Sequence, residues 1–269
     1  MLSLLVLLLA PVPTVDYARA SATLGATHGT WHHDGSLIMD GRDDTAWCAP
    51  WAAGGPRVAF EFSAPVKVDK IRIALGSSRK ISGFGPASRP RILTLSNMTY
   101  VWQIVMPDDE KPFEMPIPPP ITGQQLSIRV DAVHRPGDTA VCIAELTLYQ
   151  DGQPLRLAKR RGDPSMPSIE GVWTPAGQLS PERFVVFYRD GRLRLRDQPD
   201  TREPARDRFG KWRRDGAGVI AFEVGGRTIR VSATMTPDRD GRPRLTGDDL
   251  LDGTWTPWVP DATYGSYLW

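Results

Sequence analysis

Residues 39–48 read MDGRDDTAWC: three aspartates, a threonine, a tryptophan and one of the chain's two cysteines within ten positions. Asp40-Gly41 is turn chemistry, and Trp47-Cys48 opens an apolar segment, so the stretch reads as a polar loop entering a strand. Acid–base work on a glycosidic bond needs two carboxylates facing each other across a cleft, whereas Asp40, Asp43 and Asp44 are neighbours on one loop. A calcium loop is better matched. Calcium takes about six to eight oxygens, and Asp40, Asp43 and Thr45 offer carboxylates, a hydroxyl and a carbonyl around a glycine that lets the backbone curl. The loop lacks the length and final glutamate of an EF-hand, so a further carboxylate must come from elsewhere. The plainer alternative is a surface Asp-Gly turn with Trp47 in the core.

Working outward, the chain is punctuated by short runs rich in β-branched and large apolar residues: RVAFEF (57–62), KIRIAL (70–75), RILTLS (91–96), WQIVM (102–106), QLSIRVDAV (125–133) and CIAELTLY (142–149). Most alternate with period two, and no window holds helical periodicity over three turns, which predicts an all-β fold. PIPPPI (116–121) fits only an extended edge or a loop. Residues 151–168 are basic and broken by prolines, and are expected to link two domains. Beyond them, RFVVFYRDGRLRLR (183–196) reads as a hairpin turning at Asp190-Gly191, and 219–235 as another turning at Gly225-Gly226. Gly-x-Trp recurs at 171–173, 210–212 and 253–255, the first and last continuing Trp-Thr-Pro. Similar sequences at both ends of the segment predict a small antiparallel barrel or sheet whose first and last strands lie side by side. The three tryptophans are expected in its core. Arg192, Arg194 and Arg196 alternate on one strand and form either a solvated face or a patch for acidic polysaccharide or lipid.

The 269 residues are 41% hydrophobic and 24% charged with a net charge of +2, a globular composition that gives no bulk argument for nucleic acid. Leu2–Ala10 is nearly all apolar, too short to span a bilayer as a helix, and is followed by Ala18-Arg19-Ala20. Residues 1–20 therefore read as a signal peptide, with the protein secreted or placed in the periplasm or cell envelope and no stable membrane span after cleavage. In an exported chain Cys48 and Cys142 are most simply a disulfide; the alternative is two buried thiols. No nucleophile elbow, zinc helix, phosphate loop or dinucleotide fingerprint occurs, and the four histidines form no ligand set. The chain is therefore expected not to be an enzyme.

DGRDDTAW, then RVAFEFSAPVKVDKIRIAL, RPRILTLS and CIAELTLY, resemble in order the discoidin-like modules, also described as coagulation-factor type C or galactose-binding-like. The match is narrower to the glycan-binding type C module associated with bacterial NAD glycohydrolases. Its elements appear as Thr45-Ala46-Trp47-Cys48, Lys80 with Phe84, Arg89-Pro90-Arg91, and Asp138-Thr139 before Cys142-Ile143-Ala144-Glu145. The sequence departs from that pattern at Leu75-Gly76-Ser77 and by two residues inserted before Cys142. The resemblance covers residues 21–150. It implies a jelly-roll β-sandwich and a structural calcium held by Asp40, Asp43, Thr45 and Glu145, and it brings Cys48 near Cys142. Sugars are held by aromatic faces with basic side chains on the hydroxyls, which makes Trp51, Arg79, Lys80, Phe84 and Arg89 the expected contacts, most of them in the Gly/Ser-rich segment 76–90.

The expected organisation is a signal peptide (1–20), a discoidin-like glycan-binding domain (21–150), a linker (151–168), a small antiparallel β domain (169–258) and a tail (259–269). The expected function is non-catalytic recognition of a carbohydrate or other cell-surface ligand. The alternatives are a secreted enzyme, in the version an NAD glycohydrolase with its active site in the second domain, or a structural envelope protein.

Overall fold

The computed structural model describes residues 12–24, 34–51, 55–75, 87–97, 99–135, 140–161, 168–177, 183–197, 206–215, 219–237, 243–248 and 251–259. It is all-β, as the residue alternation predicts, and it contains two cores.

The first core lies between two sheets. The larger runs β10 (Gln153–Pro154), β9 (Glu145–Gln150), β3 (Arg57–Ala74), β7 (Phe113–Val133), β5 (Pro90–Ser96) and β6 (Val101–Val105). The smaller sets β2 (Trp47–Pro50), β8 (Ala140–Ile143) and β4 (Ala87–Ser88) side by side. Trp47, Phe60, Phe62, Ile71, Ile73, Leu93 and Val141 meet in a single cluster, so the two sheets form a sandwich. The proline run 116–121 pairs with β3 on one side, while β5 joins β7 only from Ser127 onward. The segment is thus an extended edge where missing N–H groups cost no ladder bonds.

The second core is a closed barrel. Its strands are β12 (Gly171–Pro175), β13 (Arg183–Phe187), β14 (Arg192–Asp197), β15 (Arg206–Arg214), β16 (Val219–Val224), β17 (Arg227–Pro237), β18 (Pro243–Gly247) and β19 (Gly253–Pro257). They follow a meander, and β12 closes onto β19 with Trp173 opposite Pro257 and Pro175 opposite Trp255. The repeated Gly-x-Trp-Thr-Pro therefore marks the seam. Both expected hairpins form at their expected turns. Trp173, Trp212 and Trp255 are buried, and their indole N–H groups donate to the carbonyls of Ile169, Tyr188 and Asp252. With Phe187 and Phe222 they fill the interior with side chains.

The expected domain boundaries shift at both ends of the sandwich. Thr14–Ala20, assigned from sequence to a cleaved signal peptide, forms β1, antiparallel to β3 and parallel to β11 (Arg156–Leu157). Val15 faces Phe62 and Tyr17 faces Glu61, so Asp16 is an extra, bulged residue. The bulge turns Val15, Ala18 and Ala20 into the sandwich core and leaves Tyr17 against Val172, Phe184 and Tyr188 of the barrel. A boundary at residue 20 would cut through this strand. The apolar run 2–10 lies outside the described residues. The expected linker also begins later than residue 151, because Gln153–Leu157 joins the first domain: Leu155 is buried in the sandwich core and Ala158 donates its N–H to Val15 O at 2.8 Å.

Around β1 the junction is polar as well as apolar. Arg19 Nη1 donates to Ser168 O at 2.8 Å, and its guanidinium lies 4.1 Å from the Trp173 ring centroid. Gly171 holds φ +118°, and a Cβ there would meet Arg19 at 2.8 Å, so this close approach needs glycine. Asp16 pairs with Arg192 of the barrel at 2.6 Å. Glu61, 3% exposed, accepts from Tyr188 Oη at 3.3 Å and from Gln125 Nε2 at 3.4 Å, and Tyr17 also donates to it. Burial pushes its carboxyl up to about 7 against the pull of these neutral donors.

Two outcomes follow. A chain beginning at Ser21 loses β1 and is expected to lose cooperative unfolding, whereas one beginning at Val12 keeps every described contact and its melting temperature; thermal denaturation of the two checks this. The raised folded-state Glu61 carboxyl binds a proton that the unfolded chain releases near the ordinary value of 4.5, so stability falls as pH rises from there through about 7. Glu61→Gln is expected to remove about 3 kcal/mol of that fall, measured as the difference between wild-type and variant urea midpoints from pH 4 to pH 8.

Candidate functional site

The acidic loop follows a short 3-10 turn (Gly35–Met39) that Asp34 caps by accepting from Ser36 N–H, with Asp40 at its C-cap. Gly41 at φ +82° turns the chain back and donates its N–H to Glu145 Oε2 at 3.1 Å. Asp40 accepts from Arg42 N–H at 3.0 Å and from Thr45 Oγ1 at 2.8 Å. Asp40, Thr45 and Glu145 are therefore assembled around one turn, as the sequence expectation required. Asp43 is not held in that set: it takes both terminal nitrogens of Arg72, at 3.0 and 3.4 Å. Asp44 faces outward in a bidentate pair with Arg42.

Glu145 is buried, and its carboxyl is pushed up to about 8, first by burial and then by the neighbouring charges of Asp40 and Asp43, against backbone donors at Gly41 and Arg42. Burial also raises Asp40. Crowded carboxylates of this kind are chemically suited to a hard cation. The geometry is less suited: among the described residues no group of three or more His, Cys, Asp or Glu side chains stands ready to hold a metal. The missing partner is Asp43, which Arg72 already neutralises. Arg72 was absent from the sequence reading; its signal was the alternation Lys70-x-Arg72, which puts two cations on the outer face of β3.

The Cys48–Cys142 disulfide is present, closing a separation of 94 residues. It joins directly opposed positions of β2 and β8. One step along, Pro50 faces Ala140, and Ala140 also faces Ala87 of β4. Pro50 and Ala87 are thus set against the same residue of β8.

The expected ligand contacts fare differently. Arg79, Lys80 and Phe84 lie outside the described residues. Trp51 is half-buried and packs against the sandwich core. Arg89 is fixed between Asp108 at 2.6 Å and Glu110 at 2.9 Å with its side chain 14% exposed, a structural placement. On the barrel, Arg194 and Arg196 share Asp207 and lie over Phe184, and Arg192 pairs with Asp16 and Asp190. Neither a simple solvated face nor a free basic patch describes them. Glu223 of β16 pairs with Arg213 at 3.2 Å.

No protein-family model matches the chain, and no curated protein matches it. Among solved structures, it is similar to the family 32 carbohydrate-binding module of Clostridium perfringens NanJ in complex with galactose, at 16% identity and TM-score 0.38 over 52% of this chain and 100% of that one. A pectin-binding carbohydrate-binding module aligns at 15% identity and TM-score 0.39, covering 55% and 100% of the two chains. An F5/8 type C domain from Bacteroides fragilis aligns at 15% identity and TM-score 0.38, covering 54% and 98%.

Because the disulfide closes so long a loop, replacing both cysteines by serine is expected to cost about 4.7 kcal/mol in chain entropy, read from urea denaturation. The variant should lower the midpoint of the sandwich more than that of the barrel, which the bridge does not cross.

Proposed function

We propose that the protein is a non-catalytic binding protein whose sandwich recognises a carbohydrate or another cell-surface ligand outside the cytoplasm, with calcium in the Asp40 loop. The observation that supports the reading is the disulfide-braced frame of the small sheet, where Pro50 and Ala87 both face Ala140 and the next residue, Trp51, packs half-buried against the sandwich core; Arg79, Lys80 and Phe84 precede Ala87 in the sequence. An aromatic face beside basic side chains is the chemistry that stacks on a sugar ring and bonds its hydroxyls. The ligands named for two of the similar structures, galactose and pectin, belong to the same chemical class. Calcium would be held by Asp40, Thr45 and Glu145, and by Asp43 once it exchanges Arg72 for the ion. It would supply positive charge to a crowded carboxylate group and stiffen the loop. For the NAD glycohydrolase alternative, the side-chain-filled barrel offers no supporting feature among the described residues.

The test is a glycan-array screen of the full chain, with calcium and with chelator, paired with thermal denaturation. Selective binding is expected, reduced at least about tenfold by Trp51→Ala, which corresponds to about 1.4 kcal/mol. Calcium at 100 times its dissociation constant is expected to add about 2.7 kcal/mol of stability, and Asp40→Asn should remove that gain. Binding unaffected by chelator with no calcium-induced stabilisation would keep the glycan reading and remove the metal. Turnover of NAD by the purified chain would overturn the non-catalytic reading.

A further inference from the structure

Strand β6 carries an unusual surface. Tyr100 is 40% exposed, Val101 66% and Val105 72%, so three of the five exposed large hydrophobic residues among those described sit in or beside one five-residue strand. β6 ends the larger sheet and, among the described residues, pairs only with β5. Its ladder to β5 has no register shift, and the strand carries neither a charge nor a proline. Those are the usual devices that stop an exposed edge from pairing with another chain. The opposite end of the sheet shows the contrast: β10 is only Gln153–Pro154.

The direction of the free backbone groups can be derived. Asn97 N–H donates to Tyr100 O and Met106 N–H donates to Arg91 O, each at 2.9 Å. Alternation along an antiparallel ladder then turns residues 100, 102, 104 and 106 toward β5 and leaves the N–H and C=O of Val101, Gln103 and Val105 pointing off the edge. The strand reads Val-Trp-Gln-Ile-Val, a pattern nearly the same in either direction about Gln103. Gln103 is itself one of the outward-pointing residues, so the centre of the sequence pattern coincides with a position able to sit on a two-fold axis.

We propose that two copies of this chain associate edge to edge through β6, antiparallel, with the two-fold axis passing between Gln103 and its counterpart. Val101 then faces Val105 of the second copy, and Gln103 faces Gln103. These three outward pairs exchange about six hydrogen bonds. On the core side Trp102, partly buried in the single chain, packs against the second copy's Ile104 and extends the sandwich core across the axis. Charge is compatible with this register. Val101, Gln103 and Val105 carry no charge, and Asp108 and Glu110, beyond the end of the strand, are already paired with Arg89.

The experiment uses the full chain. Sedimentation and light scattering are expected to give a dimer mass that dissociates on dilution. Val101→Lys/Val105→Lys should give a monomer with an unchanged melting temperature, because both side chains are exposed and the bonds to β5 stay intact. Register is tested separately by cysteine substitution, since the native cysteines among the described residues are bonded to each other. Gln103→Cys is expected to cross-link to itself under oxygen, two thiols giving one disulfide. Val101→Cys alone is not, because its own counterpart lies about 13 Å away at 3.3 Å per residue. A monomer mass up to about 100 μM, where even a micromolar dimer would be populated, overturns the proposal. So does a dimer that survives the double lysine variant, or cross-linking of Val101→Cys equal to that of Gln103→Cys.

Discussion

The arginine at position 19 is buried at the meeting of two cores, and the relation between the domains depends on what it touches. Its guanidinium lies flat against Trp173 and reaches Ser168 O, while its aliphatic stem occupies the space that Gly171 leaves open. Removing a cation from water is costly unless it is paired, and here burial pulls the group down to about 10. Only one of its nitrogens has a hydrogen-bond partner; Nε and Nη2 have none. The offset comes from the aromatic face and from the nearby charges of Asp34 and Glu170. Because Arg19 stands on β1, whose other face fills the sandwich, barrel and sandwich pack against the two faces of one strand. Their relative placement is then a property of the fold rather than of a tether.

Two acids at this junction show how partners decide the outcome of equal burial. Glu170 is 1% exposed and Glu61 3%. Burial works to raise both. At Glu170 the guanidinium of Arg160 and the hydroxyl of Ser168 outweigh it, and the carboxyl ends below its ordinary value. Glu61 has only tyrosine hydroxyls and an amide, with the charge of Asp16 nearby, and it ends above. Arg192, which lies over the ring of Tyr188, is spent on Asp16 and Asp190. The same interface thus contains one acid held charged and one held close to neutral.

Much of this was legible in the residues. Asp190-Gly191 and Gly225-Gly226 placed two hairpins because few residues accept the backbone conformation of a tight turn, and both glycine positions carry positive φ. The matching Gly-x-Trp-Thr-Pro ends placed the barrel seam. The polar turn from Asp40 to Thr45 was legible as a turn, and the structure brings Asp40, Thr45 and Glu145 to it while Arg72 holds Asp43 aside. What failed has a common physical cause. Thr14–Ala20 was read as part of a leader because a strand buried on both faces has the same small and apolar composition as a leader's end. No local pattern distinguishes them; only the distant partners Phe62, Arg156 and Trp173 do. Arg89 and Arg194 looked like ligand contacts for a related reason. An arginine's partner can lie across a sheet, and nothing in the linear neighbourhood shows that Asp108, Glu110 or Asp207 has already claimed it.

The Asp40 loop carries the same lesson into its chemistry. Asp43 can be balanced by one cation at a time. In the structure that cation is Arg72, which stands opposite Thr147 on β9, two residues along from Glu145. A metal entering the loop must displace a bidentate guanidinium that costs nothing further to order, since its strand is already folded. What would favour a metal is Glu145, whose carboxyl is held near 8 first by burial and then by the charges of Asp40 and Asp43. The competition is therefore between relieving one exposed acid with a residue that is always present and relieving a buried group of acids with an ion that must be captured. Arg72 sets the threshold that a cation has to pass, and the burial of Glu145 supplies the drive to pass it.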